Sequence, residues 1–214
     1  MSKMAGLVMR KFYRQANGDP SRVPWHRDEP EGIVASTVAA LQGRGRVLDV
    51  GCGTGAFAVW MAERGMEVTA MDLFPEAIAM GQALATKKGA KVDFVCGDLF
   101  GYRPERPFDL VLDSGCMHSL VGGSIPAYKN QVLRWLAPGG AFVLGHWGKR
   151  HALDWRPIGP RRRSEETIRR IFAPELVPTE VDVVDFETPL PFGPVVRGIG
   201  YRFEREGTVG RSAK

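Results

Sequence analysis

The chain has 214 residues, of which 44% are hydrophobic and 25% charged, with a formal net charge of +5. That length and balance suit one globular domain with a substantial core and leave two full domains cramped. Arg10 and Lys11 interrupt the opening apolar residues before a secretory apolar region or an ~18-residue membrane span can form, so a cytoplasmic protein with no membrane association is expected.

Cys52, Cys96 and Cys116 are odd in number and contain no CxxC pair, which points to reduced thiols and to neither a disulfide framework nor a metal cluster. The positive excess leaves an acidic partner such as RNA open, with Arg161, Arg162 and Arg163 as the densest basic run. That run also reads as a solvated turn ahead of a helix, because nucleic-acid binding usually shows a broader stripe interleaved with aromatics.

In chain order, the stretch to about Pro30 reads as a helix followed by a Pro-containing loop laid over the domain. Short β-branched and apolar runs then alternate with helical patterns, the signature of βαβ units and a parallel sheet covered on both faces. The predicted strands are Arg46 to Val50, Glu67 to Met71, Lys91 to Val95, Leu110 to Asp113 and Ala141 to Gly145. Predicted helices run from Ala56 to Arg64, Pro75 to Lys88 and Ile125 to Leu136; Pro75 suits a first helical turn, while Gly65 and Gly89 suit C-terminal stops. His146 to Pro160, rich in Trp, Arg, Pro and Gly, reads as a long loop. Ser164 is placed to cap a helix through Phe172, and Glu180 to Glu187 with Val195 to Glu204 form an antiparallel hairpin.

The most informative segment is Val47-Leu-Asp-Val-Gly-Cys-Gly-Thr-Gly55, a strand that runs into a glycine-rich turn and then a helix. Glycines let the backbone approach a ligand, and the helix start offers unpaired N–H groups to an anion. Dinucleotide enzymes use GxGxxG at the same place, but the spacing here is GxGxG with Asp49 two residues ahead of the first glycine. That string resembles the first motif of class I S-adenosylmethionine-dependent methyltransferases. The resemblance implies a Rossmann-like α/β fold: a seven-stranded, mostly parallel sheet with an antiparallel C-terminal strand and helices on both faces. It implies S-adenosyl-L-methionine as cofactor, with Asp49, Gly51, Cys52, Gly53 and Gly55 around its methionine end.

Asp72 lies 21 positions after Gly51 at the end of a predicted strand, where a carboxylate can accept from both ribose hydroxyls. A dehydrogenase would place an acid there too. Asp98 matches the family position at the adenine amino group, with Leu73 and Leu99 as apolar walls for the ring. The resemblance covers roughly Pro30 to Glu204, so residues 1–30 are taken as an arm or lid over the active site and 31–214 as the methyltransferase domain.

Asp113, Gly115 and His118 form a DxGxxH stretch that resembles the fourth motif of small-molecule methyltransferases of the thiopurine, tellurite and thiol group. By that likeness Asp113 joins the cofactor set and Met117 the acceptor set. No Asp/Asn-Pro-Pro-aromatic string for adenine-amine methylation is present. His118 has the chemistry of a general base toward a hydroxyl, amine or thiol; it equally suits a histidine that fixes the loop or lines the cofactor. Val23-Pro-Trp-His26 resembles the Pro-Trp element of the same group, although the residues after Trp25 depart from the usual continuation. Tyr13 and Trp25 are candidates to touch cofactor or acceptor, or to pin the arm to the domain. His146, Trp147, His151 and Trp155 would suit a planar apolar acceptor, and no metal ligation is indicated.

Three readings follow. One is methyl transfer to the sulfur or oxygen of a small molecule, with neither nucleic acid nor membrane as partner. Another is an RNA or protein methyltransferase using the basic turn. The last is a binding protein that keeps the cofactor without chemistry.

Overall fold

A computed structural model describes residues 3–151, 154, 161–187 and 195–205. The elements are α1 (Lys3–Ala16), the short 3-10 turn η1 (Pro20–Arg22), α2 (Gly32–Ala40), β1 (Arg46–Val50), α3 (Ala56–Glu63), β2 (Glu67–Asp72), α4 (Pro75–Lys88) and β3 (Val92–Cys96). They continue with β4 (Phe108–Ser114), the 3-10 turn η2 (Cys116–Ser119), α5 (Ser124–Trp135), β5 (Leu136–Gly148), α6 (Glu165–Phe172), β6 (Leu176–Glu187) and β7 (Val195–Arg205).

The strands form a seven-stranded sheet in the order β3-β2-β1-β4-β5-β7-β6. β1 to β5 are parallel, and β7 runs antiparallel between β5 and β6. Because β1 sends its chain outward to β2 while β4 returns on its other side, the strand order reverses between β1 and β4. In an open parallel sheet that switch point is where a crevice opens at the carboxyl ends.

Successive strand residues face opposite sides, and both sides here are covered. Leu48, Val50, Phe142, Leu144, Tyr201 and Phe203 pack with Tyr128 and Trp135 of α5 and Ile168 and Phe172 of α6. Val47, Leu110, Leu112 and Val143 pack with Ile33 and Val38 of α2 and Ala58 and Met61 of α3. The fold class, the hairpin and the Ser164 cap are as the sequence predicts; Ser164 Oγ accepts from Thr167 N at 3.2 Å.

Three elements depart from the expectation. α2 falls in a run, IVASTVAA, with no polar stripe to mark a helical period, and it is recognisable only from what it packs against. β5 begins at Leu136 because Leu136 already pairs with Phe108, with a register shift across the Pro138-Gly139-Gly140 segment that resembles a turn. β5 also runs to Gly148, so His146 and Trp147 lie in a strand and not in the predicted loop, pairing with Ile199 and Gly198. β6 starts at Leu176, ahead of Pro178, which an edge strand tolerates because its outer N–H positions need no partner. Among the described residues no helix is long and apolar enough to cross a membrane.

Candidate active site

The glycine-rich turn leaves β1 at the switch point. Gly51 has φ 71°, and a Cβ there would stand 2.7 Å from Cys116 Cβ. At Gly55 (φ 74°) a Cβ would stand 2.7 Å from Gly81 Cα and 3.2 Å from the Phe94 ring, so the start of α3 packs directly on α4 and β3. Only glycine meets both demands. The turn is anchored from β2: Gly51 N and Cys52 N donate to Met71 O at 2.8 and 2.9 Å, and Gly53 N donates to Asp72 Oδ2 at 2.9 Å. The other Asp72 oxygen accepts from Phe74 N at 3.0 Å. Asp72 therefore braces the turn and the entry to α4, and each oxygen keeps a further lone pair. Burial raises its pKa against these backbone bonds.

Asp49 is 3% exposed, and its Oδ2 has no hydrogen-bond partner. Burial, followed by the charges of Asp113 and Asp72, pushes its carboxyl up to about 8. An orphaned buried carboxyl beneath a turn that excludes side chains is suited to a ligand ammonium. Cys52 and Cys116 flank it, and burial with the nearby Asp49 and Asp72 carboxyls, joined by Asp113 at Cys116, pushes both thiols up. Asp98 is exposed and caps its own turn by accepting from Phe100 N at 3.0 Å. Leu73 is 48% exposed, and Leu99 is partly buried against the core.

The N-terminal segment lies against this turn. Tyr13 is buried, its hydroxyl 3.3 Å and Trp25 Nε1 3.8 Å from where a Gly53 Cβ would be. Trp25 Nε1 donates to Tyr13 Oη at 3.3 Å, and the two rings meet edge to face at 5.5 Å. His26 Nδ1 and Thr54 Oγ1 are 2.8 Å apart. Farther out, Arg10 and Arg14 both donate to Glu76 Oε1 at 2.8 Å, holding α1 on α4.

At the end of β4 the structure shows what surrounds three of the expected site residues. Asp113 is fully buried and spends its carboxylate inside the turn, accepting from Gly115 N (3.0 Å), Cys116 N (2.7 Å), Met117 N (3.0 Å) and the Tyr128 hydroxyl. It organises η2. Burial raises its pKa to about 6, against those hydrogen bonds. Met117 is likewise fully buried, within the core beneath α5. His118 Nε2 accepts from Trp147 N at 2.5 Å, so its lone pair is committed to β5 and Nδ1 carries the proton. Burial and the Arg163 guanidinium lower its pKa to about 3. Of the roles open to His118, the bond from Trp147 N is of the loop-fixing kind.

His146 is 2% exposed, its ring tilted against that of His118 with centroids 4.4 Å apart. Trp147 reaches His118 at 5.9 Å and Phe186 of β6 at 6.3 Å. His151 is exposed, and Trp155 lies outside the described residues. The basic run is not a solvated turn. Arg162 Nη1 bonds Asp154 at 2.8 Å with both side chains buried, while Arg163 bridges to Gly148 and donates Nη2 to Leu120 O at 3.3 Å. Of the three arginines only Arg161 is exposed.

Residues 47–140 match a family model described as "Methyltransferase domain". Nodulation protein S of Rhizobium tropici is 31% identical over 190 residues, covering 83% of this chain and 76% of that protein. The chain belongs to the S-adenosylmethionine-dependent methyltransferases. A 2-heptyl-1-hydroxyquinolin-4(1H)-one methyltransferase of Mycobacteroides abscessus is 29% identical over 153 residues, 71% of this chain and 67% of that one. The chain spans 61% and 49% of the length of two further curated methyltransferases. The solved N-methyltransferase NodS of Bradyrhizobium japonicum WM9, in complex with S-adenosyl-L-homocysteine, shares the fold. Its TM-score is 0.67 at 21% identity, over 92% of this chain and 98% of that one.

S-adenosylmethionine is accordingly the methyltransferase's cofactor, and it supplies an electrophilic methyl group on a sulfonium. The orphaned Asp49 oxygen and a turn with no room for a Cβ at Gly51 fit it. Sequence reasoning did not find Gly81, Phe94, Thr54, His26 or Arg163 at this site. Their partners lie tens of positions away, and no local pattern announces such pairs.

Proposed function

We propose that this methyltransferase methylates a small molecule at a sulfur or oxygen nucleophile, by in-line displacement on a cofactor held across the β1 turn. Asp49 receives the ammonium of the methionine end, with Gly51, Cys52, Gly53 and Gly55 passing beneath it. The free lone pairs of Asp72 accept from the ribose hydroxyls, and Asp98 takes the adenine amino group between Leu73 and Leu99. Residues 1–30 act as the lid, with Tyr13 and Trp25 excluding water from the methionine end. His118 is a positioning residue: it holds η2 against β5, and so fixes the wall of the acceptor site that His146 and Trp147 complete. Little chemical assistance is needed, because an in-line lone pair at about 3 Å meets an activated methyl group once water is kept out. A cytoplasmic setting, where the three cysteines stay reduced, belongs to the same reading.

The single observation that carries this is the buried Asp49 carboxyl, unpartnered on one oxygen beside a turn sealed against side chains. Incubation with methyl-labelled cofactor and a panel of thiols, phenols and hydroxy compounds tests it. Label appearing in at least one small acceptor is expected, and label appearing only in RNA or protein would contradict it.

A further inference from the structure

Three groups meet at the end of β5 with polar atoms to spare. Both ring nitrogens of His146 lack a hydrogen-bond partner although the residue is 2% exposed. Arg163 Nη1 is buried and equally unpartnered, its Nη2 alone being used, on Leu120 O at 3.3 Å. His118, its ring tilted against that of His146 at 4.4 Å between centroids, carries its proton on Nδ1 because Nε2 accepts from Trp147 N. Asp154 is engaged by Arg150 and Arg162, and Glu165, two residues after Arg163, by Arg169. Among the described residues no carboxylate pairs with His118, His146 or Arg163.

Buried N–H groups without acceptors are costly, and a guanidinium deprived of a counter-charge more so. The cost is removed if a ligand brings the acceptor. A carboxylate fits best: it offers several lone pairs in a plane, takes a charge-assisted bond from a guanidinium, and leaves an imidazole N–H its own oxygen. Burial, with His118 and Arg163 nearby, keeps His146 neutral, so it presents one N–H donor and one lone pair. Trp147, edge-on to Phe186 at 6.3 Å, supplies an aromatic wall beside the cluster.

We propose that the acceptor is a small carboxylic acid, whose carboxylate is received by His146 and Arg163 while its body lies along Trp147. This rests on the methyl-transfer reading above. It assigns the acceptor class from groups that the cofactor does not touch, so the two can fail separately.

The test is calorimetric titration of the full chain, saturated with S-adenosylhomocysteine, with benzoate and salicylate against benzamide and salicylamide. The carboxylates are expected to bind, and the amides to bind at least about tenfold more weakly. Arg163→Met and His146→Phe should each abolish that preference while leaving S-adenosylhomocysteine affinity within about twofold, and Arg163→Lys should retain part of it. Should Arg163→Met fail to fold, His146→Phe carries the test alone. Equal binding of acids and amides, or a preference untouched in His146→Phe, would overturn the proposal. No binding of S-adenosylhomocysteine to the wild type would overturn the reading beneath it.

Discussion

Asp49 holds a proton at neutral pH, since its carboxyl is pushed up to about 8 by burial and by the neighbouring Asp113 and Asp72 charges. A ligand ammonium against it reverses that balance, so cofactor binding at pH 7 should release close to one proton. Titrating S-adenosylhomocysteine in buffers of different ionisation enthalpy measures this directly, and Asp49→Asn should bind without release. The same shift sets a stability trend. A carboxyl raised in the folded state contributes most below the unfolded value of 3.8 and loses that contribution as pH rises through about 8. Asp49→Asn should therefore be more stable than wild type at pH 9, by roughly 1–3 kcal/mol, with no gain at pH 4.

His118 has the opposite sign, lowered by burial and Arg163 to about 3, so its contribution is present above 6.5 and is lost as pH falls toward 3. Removing it as His118→Ala leaves Trp147 N unsatisfied and should cost about 1–3 kcal/mol. His118→Gln, whose side-chain oxygen can still accept, should keep most of the methyl transfer. A pH–rate profile that loses a limb near neutrality in His118→Gln would restore the general base. Asp49 and Asp72 were legible because each sits in a local string at the end of a strand. The true work of Asp113 was not, because four donors that saturate it are defined only once η2 folds over and Tyr128 arrives from α5.

Among the elements, the N-terminal arm has the fewest strong ties. Against the upward push of burial, the Arg14 and Arg10 guanidinium groups hold Glu76 down to about 2, so this clasp is present above the unfolded value of 4.5 and lost as pH falls through 2. Exposed pairs are worth about 0.2–1 kcal/mol each, so the clasp adds only a little to the hold of α1 on α4. Glu76→Gln should raise tryptic cleavage within residues 1–30 severalfold with the rest of the chain intact; unchanged cleavage would mean that Tyr13 and His26 hold the arm alone. On the other side of the site, Gly81 presses α4 onto β3, and a Cβ there would stand 2.5 Å from the Phe94 ring. Gly81→Ala should cost about 1–3 kcal/mol in thermal or urea unfolding and weaken cofactor binding through Gly55. The helices and strands with clear polar faces or glycine stops were readable in advance. α2, the start of β5 and the start of β6 were not, because an apolar run, a Pro-Gly-Gly segment and a proline each hide an element that tertiary pairing enforces.

For the molecule as a whole, alternation of strand and helix along the chain dictates a parallel sheet, and the reversal of order between β1 and β4 then dictates where a ligand binds. That logic was visible in residues 46–145, and the antiparallel β6–β7 pair completes the sheet beyond β5. What the chain order cannot display is the convergence of η2, β5 and the Arg162–Arg163 segment, which brings together groups up to 45 positions apart, from His118 to Arg163. The central claim is that the β1 turn and Asp72 hold S-adenosylmethionine. Calorimetric titration with S-adenosylhomocysteine and, separately, NADH tests it most directly, in wild type and in Asp72→Ala. One-to-one binding of S-adenosylhomocysteine, weakened at least about tenfold in Asp72→Ala and unmatched by NADH, is the predicted result. Binding indifferent to Asp72, or a preference for NADH, would contradict it.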